Sequence, residues 1–365
     1  MIEHPLNIGI VGSGGIIRAV HMPGWAQVAN AKITAVCDAN LETARRFAQD
    51  FDIPKHRVFS DYRELVALED LHAVDIATPN RFHTPAVLAA LEHGRHVLCE
   101  KPLATSTSEV RQMAMAASKA GRLLMTGQHF RFDAMTQAIK RFVEADQLGE
   151  VYHARGHALR RNELPIALTF IDETLSGGGP CMDIGVHALD AALHLMGFPD
   201  PVRVSGTIRT NFAHGYEIPG GWGEWDRSRF NVEDFAAGFV HFSNGATLVL
   251  ETSWLQHQTE GTDFSAHLYG KKASVHWPSG GYSSVLNGAL IDGKIQPLLG
   301  MQAAHTEEIL AFAQAIRQNL PSPVPVEQTL KVIAILEGIV ESARLGCEVV
   351  LTPEIFEPVL ERQAQ

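Results

Sequence analysis

Short apolar runs alternate with helical periods through the first third of the chain. Leu6 to Val11, Ile33 to Cys37, Ala73 to Ala77, His96 to Cys99 and Leu123 to Thr126 are too apolar and too short for half-exposed ribbons. They are predicted as buried strands. The stretches between them are amphipathic and carry helix-end signals. Thr84 followed by Pro85 reads as an N-cap with proline at the first helical position, and Gly94 as the C-cap of the same helix. A further helix is predicted from about Ser108 to Ala120, stopping at Gly121. Strands alternating with helices imply βαβ units in a parallel sheet covered on both faces.

The pattern changes after about Gly127. Helices are predicted at Phe132 to Ala145 and from about Cys181 to Met196, followed by hairpin signals. Asn244-Gly245 separates two runs of strand formers, Asn287-Gly288 and Asp292-Gly293 give two more turn signals, and Gly270-Lys271-Lys272 another. These runs predict a mainly antiparallel sheet with helices on one face. Two closing helices are expected near Thr306 to Gln318 and Glu327 to Leu345. The Gly- and Trp-rich segment Tyr216 to Arg229 is long enough to read as a lid or a subunit contact. The expected division is a Rossmann domain over 1–126 and a substrate-binding and oligomerisation domain over 127–365, its last helices candidates to pack back on the first.

Length agrees with two domains, since 365 residues exceed the roughly 150 expected of one. The net charge of −11 argues against nucleic acid or an anionic membrane as partner, because both reward a basic surface. No apolar run approaches the roughly 20 residues of a membrane span. The start of the chain lacks the basic n-region and cleavage site of a signal peptide. Cys37, Cys99, Cys181 and Cys347 are far apart and form no C-x-x-C pair, so neither a disulfide framework nor a thiolate metal site is expected. A cytoplasmic setting is the expectation.

Gly12, Ser13, Gly14, Gly15, Ile16 and Ile17 follow the first strand and open the first helix. Gly12 and Gly14 suit a tight turn that lets backbone N–H groups reach a pyrophosphate at a helix N-terminus. Ile17 stands where a third glycine is usual. Asp38 ends the second strand, where an acid accepts hydrogen bonds from an adenosine ribose and repels a 2′-phosphate. Ala39 and Asn40 follow without a basic residue, so NAD is favoured over NADP. The competing reading makes Asp38 a helix cap or surface acid.

Three segments then carry a resemblance. Ala77-Thr78-Pro79-Asn80-Arg81-Phe82-His83, Cys99-Glu100-Lys101-Pro102-Leu103 and Gly177 through Asp190 (G-G-G-P-C-M-D-I-G-V-H-A-L-D) occur in that order. The set resembles the Gfo/Idh/MocA family of oxidoreductases, named for glucose–fructose oxidoreductase, inositol dehydrogenase and a rhizopine catabolism protein. The resemblance runs from the G-S-G-G-I-I-R-A-V-H turn to the terminal E-S-A-R-L-G-C-E-V stretch. It implies a Rossmann domain followed by a large, mostly antiparallel open sheet. It also implies an NAD(P)-dependent dehydrogenase acting on CH–OH groups of sugars, cyclitols or related polyols. By the same match Lys101 lies between nicotinamide and substrate, with Asp183 and His187 facing it. Thr78, Pro79, Asn80, His83, Glu100, Lys101 and Pro102 join the glycine loop and Asp38 as cofactor-binding residues.

These residue types suit alcohol oxidation. A histidine, titrating near neutral pH, can take the hydroxyl proton. Asp183, one turn earlier, can orient the imidazole or hold a neighbouring hydroxyl. Lys101 can stabilise a developing oxyanion, with Pro102 fixing the backbone beside it. Asp183, His187, Asp190 and His194 repeat at helical spacing, so part of this stripe must serve the fold, and Asp190 and His194 are assigned there. A metal on that face is the minor reading, and none is expected. His153 and His157 lie in a strand-like run and read as a polar sheet face. Arg131 matches an arginine common in the family and reads as structural. Trp222, Trp225 and Trp254 suit either sugar stacking or core packing. Two other functions stay open: a redox-assisted glycosidase that recycles NAD, and a non-catalytic NAD-binding regulator. A small polyol substrate and a homodimer or homotetramer joined by sheet packing are the expected partners.

Overall fold

The computed structural model describes residues 5–298 and 302–356. The chain divides into two compact units: 5–129 with 302–329, and 130–298 with 330–356.

The first unit is built on six parallel strands: β1 (Leu6–Val11), β2 (Ala31–Cys37), β3 (Val58–Phe59), β4 (Ala73–Ile76), β5 (His96–Cys99) and β6 (Leu124–Thr126). Their order is β3-β2-β1-β4-β5-β6. The chain lays its strands outward from β1 to one side and then, from β4, to the other, so the winding order reverses between β1 and β4. Doubly wound sheets bind nucleotides at the carboxyl ends of the strands beside that reversal. Strand interiors are apolar because both faces are covered, and Ile8, Ile10, Val74, Ile76 and Val97 have no exposed surface. The helix Thr107–Ala120 starts on Ser106, whose Oγ accepts from Glu109 N, and ends at Gly121 with φ of 60°.

Residues Thr84 and Pro85 do not open their helix. A 3₁₀ turn over Asn80–Phe82 precedes it and the helix proper spans His83–Glu92, placing Thr84 and Pro85 inside the first turn. Proline fits there because a first-turn N–H has no intrahelical acceptor to lose. The earlier start is set by His83, whose ring meets the carbonyls of Thr78 and Pro102 at 2.8 Å each. The helix Ala304–Gln318 belongs to this unit, where Phe312 meets Trp25 edge-on at 6.3 Å.

The second unit holds a nine-stranded sheet: β7 (Val151–Arg160), β8 (Pro201–Arg209), β9 (Phe235–Phe242), β10 (Thr247–Ser253), β11 (Thr262–Gly270), β12 (Ala273–Trp277), β13 (Gly281–Leu286), β14 (Ala289–Lys294) and β15 (Val349–Val350). The order is β14-β13-β12-β11-β7-β10-β9-β8-β15, and only β7 and β10 pair in parallel. Along β7, Ala154 and Ala158 are buried on the face that meets the helix Val186–Met196. His153 and His157 point the other way, bonding Thr247 Oγ1 at 2.9 Å and Asp263 Oδ2 at 3.1 Å. The turns at Asn244-Gly245, Gly270–Lys272 and Asn287-Gly288 join consecutive strands.

Asp292-Gly293 is not a turn but part of β14, opposite Ser283 and Tyr282. A Cβ on Gly293 would lie 2.4 Å from Cε1 of Tyr282. This glycine is kept for an aromatic ring lying across the strand, a use that a turn signal in the sequence does not distinguish. Among the described residues, no helix is long and apolar enough to cross a membrane.

Candidate active site

In the first unit the strand ends converge on the glycine loop. Gly12 has φ of +89°, and a Cβ there would stand 2.5 Å from the Ala77 carbonyl oxygen, so the turn admits only glycine. At Gly14 and Gly15 a Cβ would meet nothing within 4 Å, so their backbone lies open at the start of a helical run. That run passes through a π-turn at Ile17–His21, with Ile17 wholly buried in the third-glycine position. Asp38 closes the loop from the end of β2. Its Oδ2 accepts from Ser13 N at 3.0 Å and Ser13 Oγ at 2.9 Å, and its Oδ1 from Asn40 N at 2.9 Å. Asn40, not Asp38, caps the following helix Leu41–Asp50. An open glycine backbone at a helix start, with an acid at the next strand end, fits a dinucleotide's pyrophosphate and ribose.

Thr78, Pro79 and Asn80 follow β4, and Glu100, Lys101 and Pro102 follow β5, so both segments sit at the same end of the sheet. The His83 ring bridges the two loops from within, leaving its nitrogens on backbone oxygen. Glu100 also turns inward: Oε1 meets His21 Nε2 at 3.0 Å and Oε2 accepts from the Lys101 N–H at 3.1 Å.

In the second unit the stripe predicted as one helix begins as a π-turn, Cys181–Gly185, and continues as the helix Val186–Met196. π-Turns recur at functional sites because they redirect side chains within a helix. Asp183 Oδ2 accepts from Trp254 Nε1 at 3.0 Å. His187, 9% exposed, has Phe130 edge-on at 5.4 Å and Phe264 at 6.3 Å. Arg160 lies 4.7 Å from the Trp222 ring and 5.7 Å from Phe264. Burial lowers its basicity, which the Asp183 charge partly restores. Acid, imidazole, cation and aromatic faces thus gather on one side of this unit, a set suited to a polyhydroxylated ring.

The other half of the stripe serves the fold. Asp190 forms a buried two-point pair with Arg131, at 2.8 and 2.6 Å. Burial, followed by the charges of Arg131 and Lys140, holds His194 down to about 3. Trp254 is wholly buried, Trp225 donates to the Ala213 carbonyl at 2.8 Å, and Trp222 alone of the three is exposed. The Tyr216–Arg229 segment forms no helix or strand.

Sequence reasoning missed Glu233. Its carboxylate accepts from Gly179 N at 2.9 Å and Cys181 N at 3.1 Å, capping the turn that carries Asp183. Burial pushes this carboxyl up to about 7, the N–H donors opposing it. A carboxyl raised in the folded state holds its proton more tightly there. Its stabilising contribution is therefore complete below the ordinary value of 4.5 and lost as pH rises to about 7. Glu233→Gln, which cannot ionise, should lose this slope. In urea melts the variant should gain on the wild type between about pH 5 and 7, and a gap constant across that window would refute the titration.

A six-stranded doubly wound sheet with an open glycine loop, followed by a second unit in which a π-turn and helix beside a nine-stranded sheet carry Asp183 and His187, is the build of a dinucleotide-dependent oxidoreductase. Residues 6–128 match the family described as "Oxidoreductase family, NAD-binding Rossmann fold", and residues 136–276 match the Gfo/Idh/MocA C-terminal domain. The chain belongs to the Gfo/Idh/MocA oxidoreductase family, and its first unit is an NAD-binding Rossmann fold. It is 31% identical over 362 residues to D-glucoside 3-dehydrogenase of Escherichia coli, covering 96% of this chain and 99% of the relative. Levoglucosan dehydrogenase of Pseudarthrobacter phenanthrenivorans is 28% identical over 277 residues, covering 69% and 68%. Among solved structures, the aldose-aldose oxidoreductase of Caulobacter crescentus superposes with a TM-score of 0.79 at 25% identity, over 95% of this chain and 100% of that one. The levoglucosan dehydrogenase complex with NADH gives 0.82 at 24%, covering 96% and 100%, a likeness of fold.

Proposed function

We propose that this protein is an NAD-dependent dehydrogenase that oxidises a secondary ring hydroxyl of a sugar, glycoside or related polyol to a ketone, or catalyses the reverse. The observation that carries the reading is the near full-length likeness to a relative named D-glucoside 3-dehydrogenase. Gly12, Gly14, Gly15, Ile16, Asp38, Thr78–Asn80, Lys101 and Pro102 would hold the cofactor, with the wholly buried Ser13 and Ile17 shaping the loop and His83 and Glu100 bracing it and its neighbours from behind. Bound NAD supplies the hydride acceptor. His187 takes the hydroxyl proton at a ring nitrogen as general base. Asp183, fixed by the Trp254 indole, orients the substrate hydroxyls or the imidazole. Lys101 provides the cation toward which the substrate oxygen develops negative charge.

Few basic residues lie near the motif segments, which supports unphosphorylated substrates, although Arg160 and Arg161 leave a phosphorylated one open. Free cysteines at 37, 99, 181 and 347 support a cytoplasmic setting. A homodimer or homotetramer through the sheet is part of the same reading, supported by Phe239 of β9, which is 37% exposed.

The test is a panel of unphosphorylated glucosides, anhydrosugars and inositols offered with NAD or NADP. At least one should give net NADH at a rate that saturates. NADP should be poorer in kcat/KM by about tenfold or more, since a charge repulsion of ~1.4 kcal/mol suffices. Turnover of a glycoside without NADH build-up would instead identify the cofactor-recycling glycosidase.

A further inference from the structure

Behind the Lys101 loop lies a buried polar network confined to the first unit. His21, at the end of the π-turn, meets Asp75 Oδ2 through Nδ1 at 2.9 Å and Glu100 Oε1 through Nε2 at 3.0 Å. Neither His21 nor Asp75 has any exposed side-chain surface, and Glu100 retains 12%. Trp25 Nε1 adds a second donor to Asp75 Oδ2 at 2.7 Å. Gly127 closes over Glu100, since a Cβ there would stand 3.2 Å from Oε1. The free oxygen of this clamped carboxylate, Oε2, accepts from the Lys101 N–H.

An imidazole that meets carboxylates at both nitrogens satisfies them only by donating twice, as imidazolium. Burial opposes that charge, but Asp75 and Glu100 outweigh it and hold His21 well above its ordinary range. Glu100 answers in kind: burial works against its ionisation, yet His21, Lys101 and His129 bring it down to about 2. The other titratable groups facing the network carry no competing charge. Burial keeps the stacked His129 and His305 down to about 3 and 4, and pushes Glu308 of the helix Ala304–Gln318 well up, toward its neutral form.

We propose that His21 and Glu100 are positioning residues for Lys101: the doubly bonded imidazole fixes the Glu100 carboxylate, whose other oxygen fixes the Lys101 backbone and so the direction in which its side chain leaves β5. The inference rests on the reading of Lys101 as catalytic. A misplacement of about 1 Å at a reacting group costs about 10²-fold in rate, so a clamp of this kind acts on kcat and leaves ground-state binding alone.

Two measurements test it. In the wild-type protein, hydrogen exchange should show the Lys101 amide protected despite its place in a loop, and rapid exchange would overturn the inference whatever the variants do. His21→Gln and Glu100→Gln keep a polar side chain of similar reach but remove the charges, and neither amide can repeat both hydrogen bonds of the residue it replaces. Each should lower kcat by about 10²-fold, with substrate KM and the NADH Kd, read by protein fluorescence, nearly unchanged. A folded His21→Gln protein with wild-type kcat, or a kcat loss matched by an equal loss of NADH affinity, refutes the clamp. If Lys101→Ala itself retains turnover, the catalytic reading fails instead, and the protected amide and unchanged NADH affinity distinguish the two failures.

Discussion

Lys101→Ala is expected to lower kcat by about 10²–10³-fold, the usual cost of removing one preorganised donor from a developing oxyanion. The physical basis is local. Lys101 stands two residues beyond the end of β5, its backbone N–H is held by Glu100 at 3.1 Å, and Pro102 restricts the chain after it. A flexible cation in water gains little from the oxyanion, whereas one already aimed needs no reorganisation when charge appears. The effect should therefore fall on kcat, with NADH affinity changing only a few-fold. Lys101→Arg should recover little, because a planar guanidinium differs in shape and hydration from a compact ammonium. Steady-state kinetics with the best sugar from the panel, paired with fluorescence titration of NADH, measures both quantities. Retention of kcat within about threefold would remove Lys101 from the chemistry, since a positioned acid, base or cation contributes far more than that.

Much of the fold was legible because its signals are local. The apolar runs at Leu6–Val11 and His96–Cys99 match their strands residue for residue, and Gly121 and Asn244-Gly245 stop and turn the chain where expected. Local signals failed where a distant contact decides. Gly293 looks like half of a turn, but the Tyr282 ring makes it a strand residue. Thr84 looks like a cap until His83 finds two carbonyls, one of them 19 residues away. The site shows the same limit. Lys101, Asp183 and His187 stand in recognisable segments, but their supports do not. Glu233 reaches Gly179 across 54 residues, and His21 reaches Glu100 across 79. Neither spacing has a period or motif behind it, and in the sequence each is one acid or histidine among many.

Asp190→Ala is expected to destabilise the protein by about 3–5 kcal/mol, a large share of the 5–15 kcal/mol that holds a typical domain. Arg131 and Asp190 are 3% and 2% exposed, and the guanidinium also lies 4.7 Å from the Phe198 ring. Deleting the carboxylate strands a buried cation with no water to replace it. The attraction between the partners largely offsets their desolvation, so removing both together should cost much less. An Arg131→Met, Asp190→Leu double variant should therefore melt in urea close to the wild type, while Asp190→Ala loses most of its stability. This contrast separates a buried pair retained for the fold from a residue that works on substrate. The double variant should keep most of its turnover, because Asp190 lies one helical turn beyond His187 with its carboxylate already spent on Arg131. If the double variant were as unstable as the single one, packing around these side chains, and not the uncompensated charge, would be what Asp190 protects.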